Sequence, residues 1–396
     1  MEAFSFEEAR ACVIRELVAL APRPGIENVT LGDACGRVLA EPVFADRDYP
    51  PTARSVRDGF AVRSADLPGR LLVTGEVRAG ETFSGNVGPG EAVEIMTGAP
   101  MPAGADQVIM VEHVTRDGDY VVIQAAASPG ENFNPQGVEA RAGDQVLGPK
   151  RLGFADIGLL ATYGHTNVNV YRQPRVAILA TGDEVIDITQ APRADQVRNS
   201  NAWSLAAQVK RAGGIPVVLP IARDVYDHTR DLIQRGLQED LLLLSGGVSA
   251  GKYDIVEKVL ADLGAEFFFT RVRIQPGQPL VFGRMQGKFF FGLPGNPGST
   301  MVTFEVFARA AVELLCGQPE TSLPFTRARL AGPFKQKPGL TRFLPAHLSA
   351  DGAELTPISW KGSGDIPSLA RANCFLVSDP SREHYRAGDD IRVFLP

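Results

Sequence analysis

Residues Phe290–Thr300 read FFGLPGNPGST, and this stretch joins a strand to a helix. The apolar run Phe289–Phe291 is typical of a strand, and the apolar periodicity of residues 301–315 predicts a long helix. Between them, proline restricts the backbone and glycine allows a ligand to approach it closely. Because free N–H groups at a helix start attract anions, Gly295–Ser299 is predicted to be a rigid anion-binding turn. An ordinary capped helix start is the alternative.

Working outward from this turn, strand-like and helix-like segments alternate between residues 174 and 320. RVAILATGDEV, IPVVLPIA, DLLLLS and KFFFGL are typical of strands, and NSNAWSLAAQVKRAGG, YDHTRDLIQRGLQ and YDIVEKVLADLG of helices. This alternation predicts a doubly wound, mostly parallel α/β domain.

The rest of the chain has a different pattern of residues. Residues 51–140 hold short β-rich runs separated by Gly, Pro and Asp turns, which predicts a small β-rich domain. Residues 1–50 and 141–173 are predicted to form a linking helix and strand domain. Residues 174–320 form the α/β domain, and 321–396 a C-terminal β domain. A chain of 396 residues is long enough for this multi-domain division.

Three strand ends in the α/β region carry small and hydroxyl-bearing residues. They are ATGDE (Ala180–Glu184), SGGVSAGKYD (Ser245–Asp254) and the turn quoted above. In open α/β sheets, ligands bind at the carboxyl ends of the strands. We therefore expect these three loops to form one site.

The second loop also fits two other patterns. Gly246-x4-Gly251-Lys252 nearly matches a P-loop, but Tyr253 stands where a Ser or Thr holds Mg²⁺. GVSAG fits the nucleophile elbow of a serine hydrolase with Ser249 as nucleophile, and His347 and His384 follow it in the chain. Neither histidine lies in a recognisable motif, so the hydrolase is the weaker alternative.

Four carboxylates lie at or just after successive strand ends: Asp183, Glu184, Asp224 and Asp254. Oxygen ligands next to phosphate are what Mg²⁺ prefers. A single such Asp is more often a helix cap, but four in this arrangement favour a magnesium site.

Composition excludes several classes of function. The net charge of −6 argues against general nucleic-acid binding. No apolar run is long enough to span a bilayer, and the acidic N-terminus is unlike a secretory signal. The four cysteines (Cys12, Cys35, Cys316 and Cys374) are scattered, which is typical of free thiols in a reducing compartment. We therefore expect a cytoplasmic protein without a membrane partner.

Six motifs in order resemble the molybdopterin molybdenumtransferases, the family that includes the E domain of gephyrin. They are DGFAVR, IMTGAPMP, TGDE, SGGVS followed by Asp254, GLPGNPGS and SLARAN. The resemblance covers nearly the whole chain. It implies an elongated homodimer whose active site is shared between the β domain of one subunit and the α/β domain of the other.

The resemblance also implies the reaction. Molybdate replaces the adenylyl group of adenylyl-molybdopterin, AMP leaves, and Mg²⁺ assists. A molybdopterin adenylyltransferase would supply the substrate. The implied catalytic residues are Asp58, Thr97, Glu184, Asp224 and Asp254, of which Glu184, Asp224 and Asp254 would hold the metal. The implied substrate-binding residues are Gly182, Ser245, Gly246, Gly247, Ser249, Pro294, Gly295, Asn296, Pro297, Ser299 and Ser363.

Three positions depart from the family pattern. Gln275 and Gln278 stand where the family often has Lys. Ser55-Val56-Arg57 replaces the usual Ser-Ala-Met, and Gly137-Val138-Glu139 replaces the usual Gly-Glu-Asp. Glutamine can hydrogen-bond an oxyanion but adds no charge. The site is therefore expected to be less basic unless Arg57 compensates, and a catalytically altered paralogue or a gephyrin-like binding scaffold remains an alternative.

Overall fold

The structure is a computed structural model that describes residues 3–125, 128–247 and 255–396. Contacts divide the chain into two units. The larger contains residues 1–40, 149–157 and 166–396, and the smaller contains 41–148 and 158–165. This division does not test the four domain boundaries predicted from the sequence, which stay predictions.

A six-stranded sheet forms the centre of the larger unit. Its strands, in spatial order, are Ile215–Val218, Arg175–Ala180, Leu241–Ser245, Lys288–Leu293, Val281–Met285 and Glu266–Phe269. The first four are parallel, and the antiparallel Val281–Met285 joins the sixth to them. The predicted mostly parallel sheet is confirmed.

Helices cover both faces of this sheet because alternate strand residues point to opposite sides. Val176 and Ile178 pack with the helices Phe6–Leu20, Ser200–Ala212 and Arg309–Leu315. Ala177 and Leu179 pack on the other side with Tyr226–Gly236 and Ile255–Asp262. Strands with apolar residues on both faces are what a doubly wound sheet requires.

The helix Ser200–Ala212 begins and ends at sequence-encoded caps. The Asn199 side chain accepts a hydrogen bond from the Ala202 N–H, and Gly213 ends the helix with a φ of 100°. Asn at the start and a left-handed Gly at the end are the usual signals, and here they fix where the helix begins relative to the sheet edge.

The helix predicted after the PGNPG turn is interrupted. It runs as Pro297–Thr303, then a π-helical turn Phe304–Ala308, then Arg309–Leu315. The Thr303 hydroxyl donates to Ser299 O, and the Arg10 guanidinium donates to Val306 O at 2.7 Å. The Arg10 donor occupies a carbonyl inside the wider turn, which the apolar pattern did not predict.

A closed five-stranded barrel follows the last of these helices. Its strands are Phe325–Leu330, Thr341–Leu348, Glu354–Pro357, Cys374–Val377 and Asp390–Phe394. Thr341–Leu348 pairs with both Glu354–Pro357 and Cys374–Val377, which closes the ring. The short strand Ile274–Gln275 pairs with Thr341–Leu348. The predicted C-terminal β structure is confirmed. The other described elements of this unit are three strand pairs, one short 3₁₀ helix and one α-helix. They are Ile26–Thr30 with Asn167–Tyr171, Val185–Ile186 with Val197–Arg198, Phe334–Lys335 with His384–Tyr385, the 3₁₀ helix Leu31–Asp33 and the helix Ile366–Arg371.

The smaller unit is β-rich, as predicted. Its six-stranded sheet has the order Gln107–Met110, Gly59–Val62, Glu91–Ile95, Gly69–Val77, Tyr120–Ile123 and Thr115–Asp117. The strand pairs Arg54–Ser55 with Phe133–Asn134 and Val43–Phe44 with Gln145–Leu147 complete it. The helix Phe154–Thr162 contains the boundary between the two units.

Candidate active site

A cleft of about 1040 Å³ lies at the carboxyl ends of the parallel strands. The strands Arg175–Ala180, Leu241–Ser245 and Lys288–Leu293 lead into it, and the start of the helix Ser200–Ala212 forms part of its wall. The structure brings ten of the predicted site residues to this cleft: Gly182, Glu184, Asp224, Ser245, Gly246, Gly247, Pro294, Gly295, Asn296 and Pro297. The three loops singled out in the sequence therefore meet, while the role of each residue stays a prediction.

Gly182 makes room for the Glu184 carboxylate. Its φ of 131° is a conformation that other residues rarely adopt. A Cβ at this position would lie 2.4 Å from Glu184 Oε2. The Glu184 carboxylate therefore folds back over the glycine and remains exposed at the cleft.

Asp224 reaches the same cleft from the neighbouring strand end. Its N–H donates to Asp183 Oδ1 at 3.1 Å, and Arg223 donates to the carbonyls of Asp183 and Val185. Asp183 thus connects two loops instead of lining the cleft. The carboxylates of Glu184 and Asp224 have no hydrogen-bond donor within the part of the chain that is described.

Gly246 and Gly247 form a tight turn over Thr181. Both have positive φ, 93° and 63°. A Cβ on Gly247 would lie 2.8 Å from Thr181 Oγ1 and 2.6 Å from Val256 Cγ2. The Thr181 hydroxyl is buried and has no hydrogen-bond partner among the described residues. Only glycine allows the backbone to lie this close to the floor of the cleft.

The PGNPGST turn is held by an internal hydrogen bond and by a contact with Ser363. The Thr300 hydroxyl donates to Pro294 O, and the Gly298 N–H donates to Ser363 O at 2.7 Å. Ser299 is 4 % exposed and does not line the cleft, and Ser363 meets the turn through its carbonyl. Pro297 has no N–H to donate. The backbone N–H groups of Gly295 and Asn296, which line the cleft, have no acceptor within residues 3–125, 128–247 and 255–396. Anion binding by this turn stays a prediction, and these two donors are the cleft-lining ones that could serve it.

Two residues of the cleft were not found from the sequence. Asn201 donates through Nδ2 to Ser245 Oγ and to Gly295 O, both at 2.8 Å. Arg198 is the only Lys or Arg among the described lining residues, and its Nε donates to Gln190 O. The helix-start pattern RNSN was visible, but it indicated a cap and gave no sign that these side chains reach other loops.

The cleft suits a magnesium ion. Among the described residues no group of three or more His, Cys, Asp or Glu is placed to hold a metal. Glu184 and Asp224 nevertheless present two carboxylates with free oxygens to one cavity. Mg²⁺ is often held by one or two carboxylates together with substrate phosphates and water, so the donor set fits.

Asp58 and Thr97 lie together in the smaller unit. The Asp58 carboxylate accepts hydrogen bonds from the Thr97 N–H at 2.6 Å and from its hydroxyl at 2.8 Å. These two donors hold the pKa of Asp58 below its ordinary value, the backbone N–H contributing most. Gly59 follows Asp58 because a Cβ there would lie 1.9 Å from Ile109 O.

A second cavity, of about 360 Å³, lies beside Gln275. Lys335, Arg342 and Lys361 line it together with Trp360. Gln275 Oε1 accepts from Arg342 Nε at 2.8 Å. Gln275 therefore lies among cations despite the absence of lysine there. Gln278 does not line this cavity, and its carbonyl accepts from the N–H groups of Val272 and Leu280.

Some predicted residues lie outside the described part of the chain. They include Ser249 and Asp254, together with Gly251 and Lys252 of the P-loop-like pattern. His347 and His384 lie on strands of the larger unit, and neither lines the cleft. The geometry of the described residues therefore gives no support to the hypothesis of a serine hydrolase with Ser249 as nucleophile.

Comparison with known proteins agrees with this fold. Residues 4–164 match the MoeA N-terminal region (domain I and II), 177–314 a probable molybdopterin binding domain, and 327–395 the MoeA C-terminal region (domain IV). A molybdopterin molybdenumtransferase of Staphylococcus aureus strain COL is 32% identical over 93% of this chain and 90% of its own length. The one from Staphylococcus epidermidis RP62A is 30% identical over 99% and 97%.

A solved structure has the same fold over the full length of the chain. The molybdopterin biosynthesis MoeA protein of Pyrococcus horikoshii OT3 aligns over 100% of both chains, with a TM-score of 0.85 and 26% identity. The fold is that of a family of enzymes that act in molybdenum cofactor biosynthesis. The chain belongs to the MoeA family of molybdopterin molybdenumtransferases. None of the helices that the structure describes is long and apolar enough to cross a membrane.

Proposed function

We propose that this protein inserts molybdenum from molybdate into adenylyl-molybdopterin and releases AMP. The observation that supports the proposal most is the cleft itself, where Glu184 and Asp224 lie beside the glycine turns at 246–247 and 295. A phosphate-bearing substrate needs hydrogen-bond donors for its oxygens and neutralisation of its charge. The glycine turns would supply the donors, and a Mg²⁺ held by the two carboxylates would supply the positive charge together with Arg198.

Backbone donors hold the substrate oxygens in this proposal. The N–H groups of Gly295 and Asn296 have no acceptor among the residues that the structure describes, and glycine at 295 lets an oxyanion approach them. Arg198 supplies a positive charge at the same cleft. Donors fixed by the fold need no reorganisation when charge develops on a leaving phosphate, and this is how such sites accelerate group transfer.

Glu184 and Asp224, with Asp254, would hold Mg²⁺. A bound Mg²⁺ would neutralise the charge on the phosphate oxygens of the substrate. The test is the magnesium dependence of AMP release in Glu184→Gln and Asp224→Asn, which keep the side-chain shape and remove one charge each. Turnover should fall steeply while the thermal midpoint changes little, and the magnesium concentration needed for half-maximal AMP release should rise. An unchanged requirement in both variants would refute a metal role.

The proposal includes a homodimer in the cytoplasm. Asp58 and Thr97 of one subunit would complete the cleft of the other, and a molybdopterin adenylyltransferase would supply the substrate. Asp58 suits this role because its carboxylate is exposed and kept ionised by the two Thr97 donors.

The direct experiment incubates the purified protein with adenylyl-molybdopterin, molybdate and Mg²⁺. We expect molybdate-dependent AMP release and molybdenum bound to the dithiolene. Binding of AMP and molybdate without turnover would instead favour the altered paralogue. A protein that bound neither ligand would favour a binding scaffold.

A further inference from the structure

We propose that Asn201 is a positioning residue that holds the Gly295–Asn296 peptide so that the Asn296 N–H is presented to a bound anion. The inference rests on the proposed function of the cleft and adds a residue that the site motifs do not contain. Asn201 is the second residue of the helix Ser200–Ala212. Its two hydrogen-bond partners, Ser245 and Gly295, lie far from it along the chain.

One side-chain amide joins three elements. Asn201 Nδ2 lies 2.8 Å from Ser245 Oγ, at the end of the strand Leu241–Ser245. It lies 2.8 Å from Gly295 O, in the turn after the strand Lys288–Leu293. The helix start and two strand ends are thereby tied at a single nitrogen, and all three line the cleft.

The orientation of this amide is determined by chemistry. A carbonyl oxygen only accepts hydrogen bonds, so the Asn201 group that faces Gly295 O must be the nitrogen. Its oxygen, Oδ1, is buried without a partner in the described part of the chain. An unsatisfied buried acceptor is costly, and such a cost is expected where a side chain is kept for a functional reason.

The hydrogen bond to Gly295 O fixes the following N–H. In a trans peptide the C=O and N–H point in opposite directions, and the Gly295–Asn296 bond is not among the cis peptides of this chain. The Asn296 N–H therefore points away from Asn201. It has no acceptor among the described residues, and Asn296 is exposed at the cleft.

The Asn201 amide also determines which hydrogen bonds Ser245 can make. Because Asn201 donates to Ser245 Oγ, the serine hydroxyl hydrogen is left for another acceptor. Asn201 thus fixes the direction of one backbone N–H and leaves the hydroxyl hydrogen of a second cleft residue, Ser245, available for an acceptor.

The experiment measures AMP binding by calorimetry and by the amide resonances of the protein. Asn201→Ala should weaken AMP binding about tenfold or more, the value of one lost charge-assisted hydrogen bond. Asn201→Asp keeps the shape but cannot donate to Gly295 O, and it should weaken binding at least as much. In the wild type the Asn296 amide proton should move downfield on AMP addition, and in both variants this shift should be lost.

The matched control is Ser204→Ala, which removes the hydrogen bond from the Ser204 hydroxyl to Asn201 O in the same helix. It should keep AMP affinity within about twofold, since it leaves the bridging amide in place. If Asn201→Ala lowers thermal stability, the Asn296 amide shift at saturating AMP decides the question, because the charge that Asn201→Asp adds would weaken affinity by itself.

The outcomes separate the two claims. Full AMP affinity and a retained Asn296 shift in both Asn201 variants, with an active wild type, overturn the positioning role alone. A wild type that neither binds AMP nor releases it from adenylyl-molybdopterin overturns the proposed function and this inference with it.

Discussion

The Asp58 carboxylate accepts two hydrogen bonds from one residue, the N–H and the hydroxyl of Thr97, at 2.6 and 2.8 Å. Both donors favour the ionised carboxylate, so the pKa of Asp58 lies below its ordinary value. The stability that this pairing contributes is present above the unfolded-state pKa, and it is lost as the pH falls through the folded-state value.

Thr97→Val removes the hydroxyl donor and keeps the backbone N–H. The pKa of Asp58 should therefore rise part of the way toward its ordinary value. A carboxyl-carbon NMR titration measures it, and the acid limb of the activity profile should move to higher pH in parallel. Thr115→Val, an exposed threonine in the same unit, is the control. An unmoved Asp58 titration in Thr97→Val would show that the hydroxyl contributes nothing.

Gly295→Val should weaken AMP and molybdate binding while leaving the thermal midpoint nearly unchanged. Among the described residues, a Cβ at Gly295 would meet only Gly246 Cα, at 3.6 Å, which is an ordinary van der Waals contact. We therefore expect the valine to be accommodated by the fold and to fill the space that an anion would use. Gly298→Val is the contrasting variant, because a Cβ there would lie 2.9 Å from Ser363 O and 3.0 Å from Leu369 Cδ1. It should lower the thermal midpoint. Undiminished ligand affinity in Gly295→Val would contradict the anion-binding turn.

Replacing Gln275 and Gln278 by Lys should tighten molybdate binding at low ionic strength. Gln275 lies among Lys335, Arg342 and Lys361, so an added charge there strengthens an existing positive field. Screening over ~8 Å at physiological ionic strength should reduce the gain at higher salt.

The control for these substitutions is the pair Gln145→Lys and Gln238→Lys, which changes the net charge equally at exposed positions. It should leave molybdate affinity unchanged. Equal affinity in the wild type and the Gln275→Lys, Gln278→Lys variant at every salt concentration would mean that the missing lysines do not weaken the site.

The shared active site is testable by mixing two inactive variants, Asp58→Asn and Asp224→Asn. If each cleft takes Asp58 from the other subunit, a heterodimer has one intact site and one site with both changes. Random exchange of subunits in a symmetric dimer should restore about a quarter of the wild-type activity. No recovery, with exchange confirmed by mass spectrometry, would place both residues in a site formed within one subunit or in separate roles.

The sequence allowed the sheet and its loops to be predicted because their signals are local. Leu241–Leu244 is an uninterrupted apolar run, and the glycines after Ser245 mark the strand end. The cleft at those ends follows from the topology of parallel sheets. Ten predicted residues meet there for this reason.

The features that escaped prediction depend on contacts between distant segments. Asn201 has the sequence of an ordinary helix start, and its bridge to Ser245 and Gly295 exists only once three elements are packed. Arg342 similarly reaches Gln275 across 67 residues of chain. The Arg10 guanidinium of the first helix donates to Val306 O inside the π turn at Phe304–Ala308. The residue pattern of a single segment gives no information about contacts with such distant partners.

The most direct test of the account follows AMP release and molybdenum incorporation in the same reaction. The wild type should release one AMP for each molybdenum bound to the dithiolene, and only when molybdate is present. Glu184→Gln should slow both by the same factor. AMP release that proceeds equally without molybdate, or molybdenum insertion without AMP release, would contradict the claim that this cleft couples the two events.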